Sequence, residues 1–295
     1  MKKTAALLIS LLMVAALFTG CTPNSDKNAF KGQIYFNGST SLAPIIASIG
    51  STFTEEYKTW NKVDPSFPET DIAIYVSSGG SGAGVKAVLE GTSDFGMLAR
   101  AIKDSEKEAI KDYHEYMVAK DALTISVNKN NPICKLMDDI SSDLAKKIFS
   151  GELKYWDEVD PSLEHQEIVV VIRDLSGGAY EVFQKAIMGE TLISENAIQS
   201  PSMGALATKI VENKWAIGYA GYGVYNKNID NLFAFKVDGV EPTEANIIDG
   251  SYTIQRPVMF IMDGEPTKAQ QAFIDYIYSD VGKAAIIDNG YIPSK

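Results

Sequence analysis

The chain runs to 295 residues, 45% of them hydrophobic, and sets 27 Lys and Arg against 38 Asp and Glu for a net charge of −11. A surface that acidic repels nucleic acid and anionic lipid headgroups alike, so neither is an expected partner. The two histidines, His114 and His165, lie in charged helix-like or loop surroundings with no second ligand at metal spacing, so no metal site is expected.

Met1-Lys2-Lys3 is a short basic start, residues 5–18 are an apolar run broken only by Ser10, and Thr19-Gly20-Cys21 follows at once. That pattern predicts a signal peptide over residues 1–20, too short to span a bilayer with tilt to spare. The small residues before Cys21 resemble a bacterial lipobox, with Phe18 standing where that motif usually has Leu. The resemblance implies export, cleavage before Cys21, a diacylglycerol thioether on its sulfur, and a hold on the membrane through that lipid alone. Residues 21–31, with Asn24-Ser25-Asp26-Lys27-Asn28, then read as a polar tether. Cys134 is the only other cysteine, so once Cys21 is modified no disulfide forms within the chain.

What remains is long enough for one large or two medium α/β domains. Residues 33–36 predict a strand, and Leu42, Ile45, Ile46, Ile49 and Phe53 then recur at helical spacing, with Pro44 suited to the first turn. Residues 72–76 predict a second strand, followed after a Gly/Ser loop by Val85, Val88 and Leu89 on one helical face. Residues 168–172 are a continuous β-branched run of the kind buried on both faces of a sheet, and Val182, Phe183, Ala186 and Ile187 continue as a helix. No period suggests internal repeats. Strand, tight loop and helix recur as in parallel α/β sheets, whose ligands sit beyond the carboxyl ends of the strands.

The three loops share one chemistry: Asn37-Gly38-Ser39-Thr40-Ser41, then Ser77-Ser78-Gly79-Gly80-Ser81-Gly82-Ala83-Gly84, then Arg173-Asp174-Leu175-Ser176-Gly177-Gly178-Ala179. Each offers glycine, hydroxyls and a helix N-terminus with unpaired N–H groups, and three aimed at one spot would form an anion cage. Any one of them alone reads better as an N-cap and a glycine turn, and it is three in one chain that reverse the balance toward an anion site. Gly82-Ala83-Gly84-Val85-Lys86-Ala87 also fits the dinucleotide-binding pattern, which further needs an acidic residue closing a second strand. Here Asp94-Phe95-Gly96 leads instead into Lys103-Asp104-Ser105-Glu106, a turn entering a charged helix, and no cofactor is expected.

Gly38-Ser39-Thr40-Ser41-Leu42-Ala43-Pro44, Gly80-Ser81-Gly82-Ala83-Gly84-Val85-Lys86, Asp94-Phe95-Gly96-Met97, Ser202-Met203-Gly204-Ala205 and Ala216-Ile217-Gly218-Tyr219 follow one another in this order. In that set the chain resembles the phosphate-binding proteins of bacterial phosphate-specific (Pst) ABC transporters, of the periplasmic binding protein type II superfamily. The resemblance implies a two-lobed α/β fold with two crossing hinge segments, placed near residues 123–127 and 254–260. Lobe 1 would comprise residues 32–122 and 256–295, and lobe 2 residues 123–255. It implies a monomer that captures phosphate or a related oxyanion between its lobes and delivers it to an ABC transporter permease, with no catalytic residue.

Carried over position by position, Thr40, the backbone of Ser41 and Ser81 would donate to the anion, and Arg173 would be the one strong cation, with Gly177 and Gly178 beside it. Three positions depart from the family pattern: Gly177 replaces a serine, Ala179 a threonine, and Ala99 a residue that is often Asp or Ser. Hydrogen bonds to a charged group contribute roughly 1.5 to 3 kcal/mol each, so two uncompensated losses would weaken binding on the order of a hundredfold or more. Either Ser176 and Arg100 move in to replace them, or the ligand is a different one. An extracellular phosphoesterase on the same scaffold is the alternative in another class, although no activated nucleophile or metal cluster is evident near the loops. A sensory lipoprotein without transport is a third.

Overall fold

A computed structural model describes residues 30–294, and Gly32–Lys295 is the folded unit considered below. The expectations for the signal segment and for Cys21 lie outside the described residues. Among the described residues no helix is long and apolar enough to cross a membrane.

The strands, in chain order, are β1 (Gln33–Gly38), β2 (Ala73–Ser78), β3 (Phe95–Leu98), β4 (Tyr113–Asn128), β5 (Asp139–Ile140), β6 (Val169–Arg173), β7 (Ile198–Ser200), β8 (Ala216–Gly221), β9 (Leu232–Ala234), β10 (Lys236–Val237), β11 (Gln255–Asp263) and β12 (Ile292–Pro293). Ten of them join in one sheet along the order β2-β1-β3-β11-β4-β8-β6-β7, with β9 and β12 also on β4. β5 and β10 form a separate parallel ribbon. The pairs β1–β2, β1–β3, β6–β7 and β6–β8 are parallel, so their carboxyl ends point the same way within each half of the sheet.

β4 joins the halves. Its 16 residues pair antiparallel with β11 up to Ala122, opposite Gln255, and from Leu123 onward with β8, opposite Gly221. At the handover the Leu123 N–H donates to the Ile254 carbonyl at 2.8 Å. Both segments crossing between the halves are therefore strand, hydrogen-bonded side by side.

The helix Ala43–Tyr57 begins with Pro44 in its first turn and buries Ile45, Ile46, Ile49 and Phe53, as the spacing predicts. Phe53 and Phe36 meet Phe273 of the helix Lys268–Ile277 edge-on, and Phe36 stacks on Phe95, so this core closes around stacked and edge-on rings. The other core is one continuous apolar cluster drawn from residues 122–254 plus Ile292, with Trp156, Phe149, Phe183 and Tyr219 fully buried. The run Val170-Val171-Ile172 lies inside it, flanked by strands on both sides.

A short segment, Trp-x-x-Val-Asp-Pro-Ser, occurs twice in the sequence, and the hydrogen bonding around the two copies is alike. Thr59-Trp60-Asn61-Lys62-Val63-Asp64-Pro65-Ser66 and Tyr155-Trp156-Asp157-Glu158-Val159-Asp160-Pro161-Ser162 stand 96 positions apart and fold alike. In both, the Trp N–H donates to a carbonyl ten residues on, Thr70 or Gln166, at 2.9 Å. In both, an Asp carbonyl and carboxylate fold the Pro-Ser turn, and one antiparallel bridge, Thr59 to Asp71 or Tyr155 to Glu167, launches the next strand. The indole N–H groups donate to Gly32 and Trp215 carbonyls, which also accept the N–H of Ala73 and Val169.

Candidate functional site

The loops after β1, β2 and β6 converge on one small cavity of about 10 Å3, on the scale of a single water-sized species. Thr40, Ser41, Gly80, Ser81 and Ala99 line it from one side, and Arg173, Gly177, Gly178 and Ala179 from the other. Of the residues singled out in the sequence, Thr40, Ser41, Ser81, Arg173, Gly177 and Gly178 are thus brought together, and Arg100 and Ser176 are not among the lining.

Arg173 ends the buried strand β6 and is 2% exposed. Its backbone N–H donates to the Tyr219 hydroxyl at 3.0 Å, and Tyr219 stacks on Phe183, so the core itself fixes where the guanidinium starts. Nε donates to the Ser200 carbonyl at 3.1 Å, Nη2 to Asp174 at 3.0 Å, and Nη1 across the cleft to Thr40 Oγ1 at 2.7 Å. Burial pushes this guanidinium down from its ordinary value and Asp174 opposes the push, but an arginine stays cationic at any accessible pH. The same burial pushes the Tyr219 hydroxyl up, keeping it neutral.

The hydroxyl donors are oriented by what they accept. Ser81 Oγ accepts the Ala99 N–H at 3.1 Å, which leaves its own proton for another partner. Thr40 Oγ1 already accepts from Arg173, with the same consequence. The Ser41 N–H, expected to face the anion, donates to Ser39 Oγ at 3.2 Å. The N–H groups of Gly178 and Ala179, opening the helix Gly178–Phe183, meet no acceptor among the described residues.

Two glycines make the loops' close approach possible. Gly80 has φ +96°, and a Cβ there would stand 2.7 Å from the Ser176 carbonyl oxygen of the facing loop. A Cβ on Gly178 would run into Ser81 Oγ.

Arg100 and Ser176 are occupied elsewhere. Arg100 donates to Glu106 at 2.7 and 2.8 Å and to the Ala101 carbonyl, and its Nε lies 3.3 Å from Glu181, so its charge is spent on carboxylates. Burial pushes the Glu106 carboxyl up, but hydrogen bonds from Arg100 and the Lys103 N–H outweigh it and leave it below its ordinary value. Ser176 Oγ donates to its neighbour Asp174. Neither residue replaces the hydroxyls absent at Gly177 and Ala179.

A residue that loop chemistry did not single out does line the cavity: Arg256, 3% exposed, near the start of β11. Its Nε and Nη2 donate to Asp121 Oδ2 at 2.9 and 2.6 Å and its Nη2 to Ser41 Oγ at 3.0 Å. Among the described residues no group of three or more His, Cys, Asp or Glu could hold a metal ion. His165 stacks on Tyr155 and pairs with Asp157, and His114 lies beside Asp112, both away from the cavity. Cys134 is half-buried, and burial pushes its thiol up to about 11, which makes it a poor nucleophile at neutral pH.

A family model described as the PBP superfamily domain matches residues 24–281. The chain is 30% identical over 310 aligned positions to the phosphate-binding protein PstS of Staphylococcus epidermidis, covering 100% of this chain and 90% of that relative. It is 32% identical over 278 positions to PstS of Staphylococcus haemolyticus, covering 90% and 82%. Among solved structures, a candidate phosphate ABC transporter substrate-binding protein from Clostridium perfringens with bound phosphate is 28% identical and superposes with a TM-score of 0.75, covering 89% of this chain and 100% of that one. An ABC-type phosphate transport receptor from Vibrio cholerae is 26% identical with a TM-score of 0.67, covering 88% and 99%.

Proposed function

Because this chain belongs to the PstS family of phosphate-binding proteins within the PBP superfamily and has its two-lobed α/β fold, we propose that it captures inorganic phosphate between its lobes for an ABC importer. The observation that carries the reading is the convergence of Thr40, Ser81, Arg173 and the free N–H groups of Gly178 and Ala179 on one polar cavity. Arg173 supplies charge and two N–H groups, the hydroxyls supply single donors, and the helix start adds backbone donors without formal charge. Nothing at the cavity activates a nucleophile, so binding and release, not turnover, is the chemistry these groups support.

The lobes of this reading are residues 32–122 with 256–295, and residues 123–255. An anion held by Thr40 and Ser81 on one side and Arg173 on the other binds the closed arrangement better than the open one and shifts the population toward it. The chain is exported as a monomer and held to the membrane by a lipid on Cys21, from which it passes its cargo to the permease. Isothermal calorimetry against phosphate, arsenate and sulfate tests the ligand, with saturable phosphate binding expected. Absence of phosphate binding by folded protein would refute the reading. The Ala99 side chain offers no proton acceptor, so sulfate is expected to compete better here than in a relative with Asp at that position, and Ala99→Asp to widen the gap.

A further inference from the structure

Gly177 and Ala179 line the cavity without a hydroxyl, and neither Arg100 nor Ser176 reaches it to supply a donor there. Arg256 does line it, and its hydrogen bonds show which part of the guanidinium is spoken for. Nε and Nη2 are spent on Asp121 Oδ2, and Nη2 also on Ser41 Oγ. Nη1 makes only a 3.4 Å contact with the Ala99 carbonyl, which leaves it donor capacity. Besides Asp121, Arg256 reaches Ala99 through Nη1 and Ser41 through Nη2, and both of those residues line the same cavity.

Asp121 is wholly buried and lies directly opposite Arg256 in the β4–β11 register. It therefore holds the guanidinium by one edge and leaves the other edge directed elsewhere. Asp121 is absent from the cavity lining, so its negative charge stands behind the arginine as seen from an incoming anion. Ser41, which receives the Nη2 hydrogen bond, is itself part of the lining.

We infer that Arg256 is a second anion-binding cation, aimed by Asp121, which donates from Nη1 to the bound oxyanion and takes the place of the hydroxyls missing at Gly177 and Ala179. The inference rests on the oxyanion reading of the site and names a further residue within it. Two guanidiniums, Arg173 from the strand β6 and Arg256 from β11, then grip the ligand from opposite lobes.

Removing Arg256 alone would strand a buried carboxylate, so the test replaces both partners with neutral polar residues of similar size, Arg256→Gln with Asp121→Asn. Calorimetry with phosphate, arsenate and sulfate on wild type and the double variant is expected to show affinity reduced roughly 10- to 150-fold for every anion the wild type binds. A folded double variant whose affinity stays within about threefold of wild type overturns the inference, since one charged hydrogen bond contributes more than that. If wild type binds arsenate or sulfate but not phosphate, the phosphate reading falls while the role of Arg256 is judged on the anion that does bind. If wild type binds none of the three, both fall. Should the double variant not fold, a crystal structure of wild type with bound arsenate decides: an arsenate oxygen about 3 Å from Arg256 Nη1 supports the inference, and separation beyond hydrogen-bond reach overturns it.

Discussion

Residues 59–84 and 155–180 fold by the same local rules into different places in the sheet. Each begins with a buried tryptophan, turns at Asp-Pro-Ser, crosses one β-bridge, and runs through a strand into a glycine loop and a helix. In the first stretch the strand is β2, an edge strand paired only with β1 and mostly exposed or half-buried. In the second it is β6, between β7 and β8 and almost wholly buried. The matched positions diverge accordingly. Ser77 at the edge donates to the Phe36 carbonyl, whereas Arg173, its counterpart 96 residues on, is a buried cation gripped by a tyrosine, a serine carbonyl and Asp174. A central strand has the neighbours needed to hold a charge out of water, and an edge strand does not. The stretch at the edge contributes hydroxyls and close backbone approach, and the central one contributes charge.

The widest gap between the two stretches should appear at that pair. Arg173→Ala is expected to weaken phosphate binding roughly 10^2- to 10^4-fold, through loss of two or more charged hydrogen bonds, and Ser77→Ala by less than about threefold. Calorimetry on both variants checks it, and comparable losses would mean that the cation is not what distinguishes the stretches.

Stability should bring them back together. Trp60→Ala and Trp156→Ala each remove a fully buried indole that bonds a backbone carbonyl, and each is expected to cost about 3 to 5 kcal/mol in denaturant unfolding. A difference above roughly 2 kcal/mol would show that the shared hydrogen-bond pattern hides unequal packing.

The next pair is glycine. Gly178→Ala puts a methyl group against Ser81 Oγ, whereas Gly82→Ala meets only the Ser176 carbonyl oxygen, at 3.9 Å. Phosphate affinity is expected to fall roughly 10- to 100-fold in the first and to stay within about threefold in the second. Equal tolerance would mean that the facing loops separate in the bound state.

The smallest difference is a matter of pH. Hydrogen bonds from the Tyr155 and Lys154 N–H groups hold the Glu158 carboxyl below its ordinary value, and its counterpart in the first stretch is Lys62. A depressed carboxyl pKa contributes stability that is fully present above the unfolded value, about 4.3, and is lost as pH falls through the folded value. Amide exchange of the turn at 154–158 should therefore quicken, relative to the turn at 58–62, as pH falls below the ordinary Glu value of about 4.3. Glu158→Gln should abolish that response, and an unchanged acid response in the variant would assign it to another carboxyl.

Much of this was legible before any coordinates. Strand-loop-helix alternation placed strands at 33–36, 72–76 and 168–172, and they stand at Gln33–Gly38, Ala73–Ser78 and Val169–Arg173. The continuous β-branched run before Arg173 marked the central strand because a strand covered on both faces has no polar side to show. The fate of Arg100 was not legible, since its direction depends on Glu106 six residues on and Glu181 in the facing half. Arg256 was missed for a related reason. It sits inside a strand, with no glycine or hydroxyl beside it to signal a ligand loop, and its partner Asp121 lies 135 residues away. The likeness of the two tryptophan turns does stand in the sequence, as Trp-x-x-Val-Asp-Pro-Ser at 60–66 and 156–162, but two copies set no period, and only the hydrogen bonds show that both launch a strand.

β4 has a consequence for how the molecule comes apart. Its first ten residues are held by β11, and from Leu123 it is held by β8 and the core around Tyr219, with no loop between the two spans. Loosening either core frays the template on which the other is built, and Ile292 of β12, paired to Lys120 while packed in the far core, adds a second tie. Heat or denaturant should therefore melt both halves in one cooperative transition, unlike a pair of beads on a string, which would melt in two.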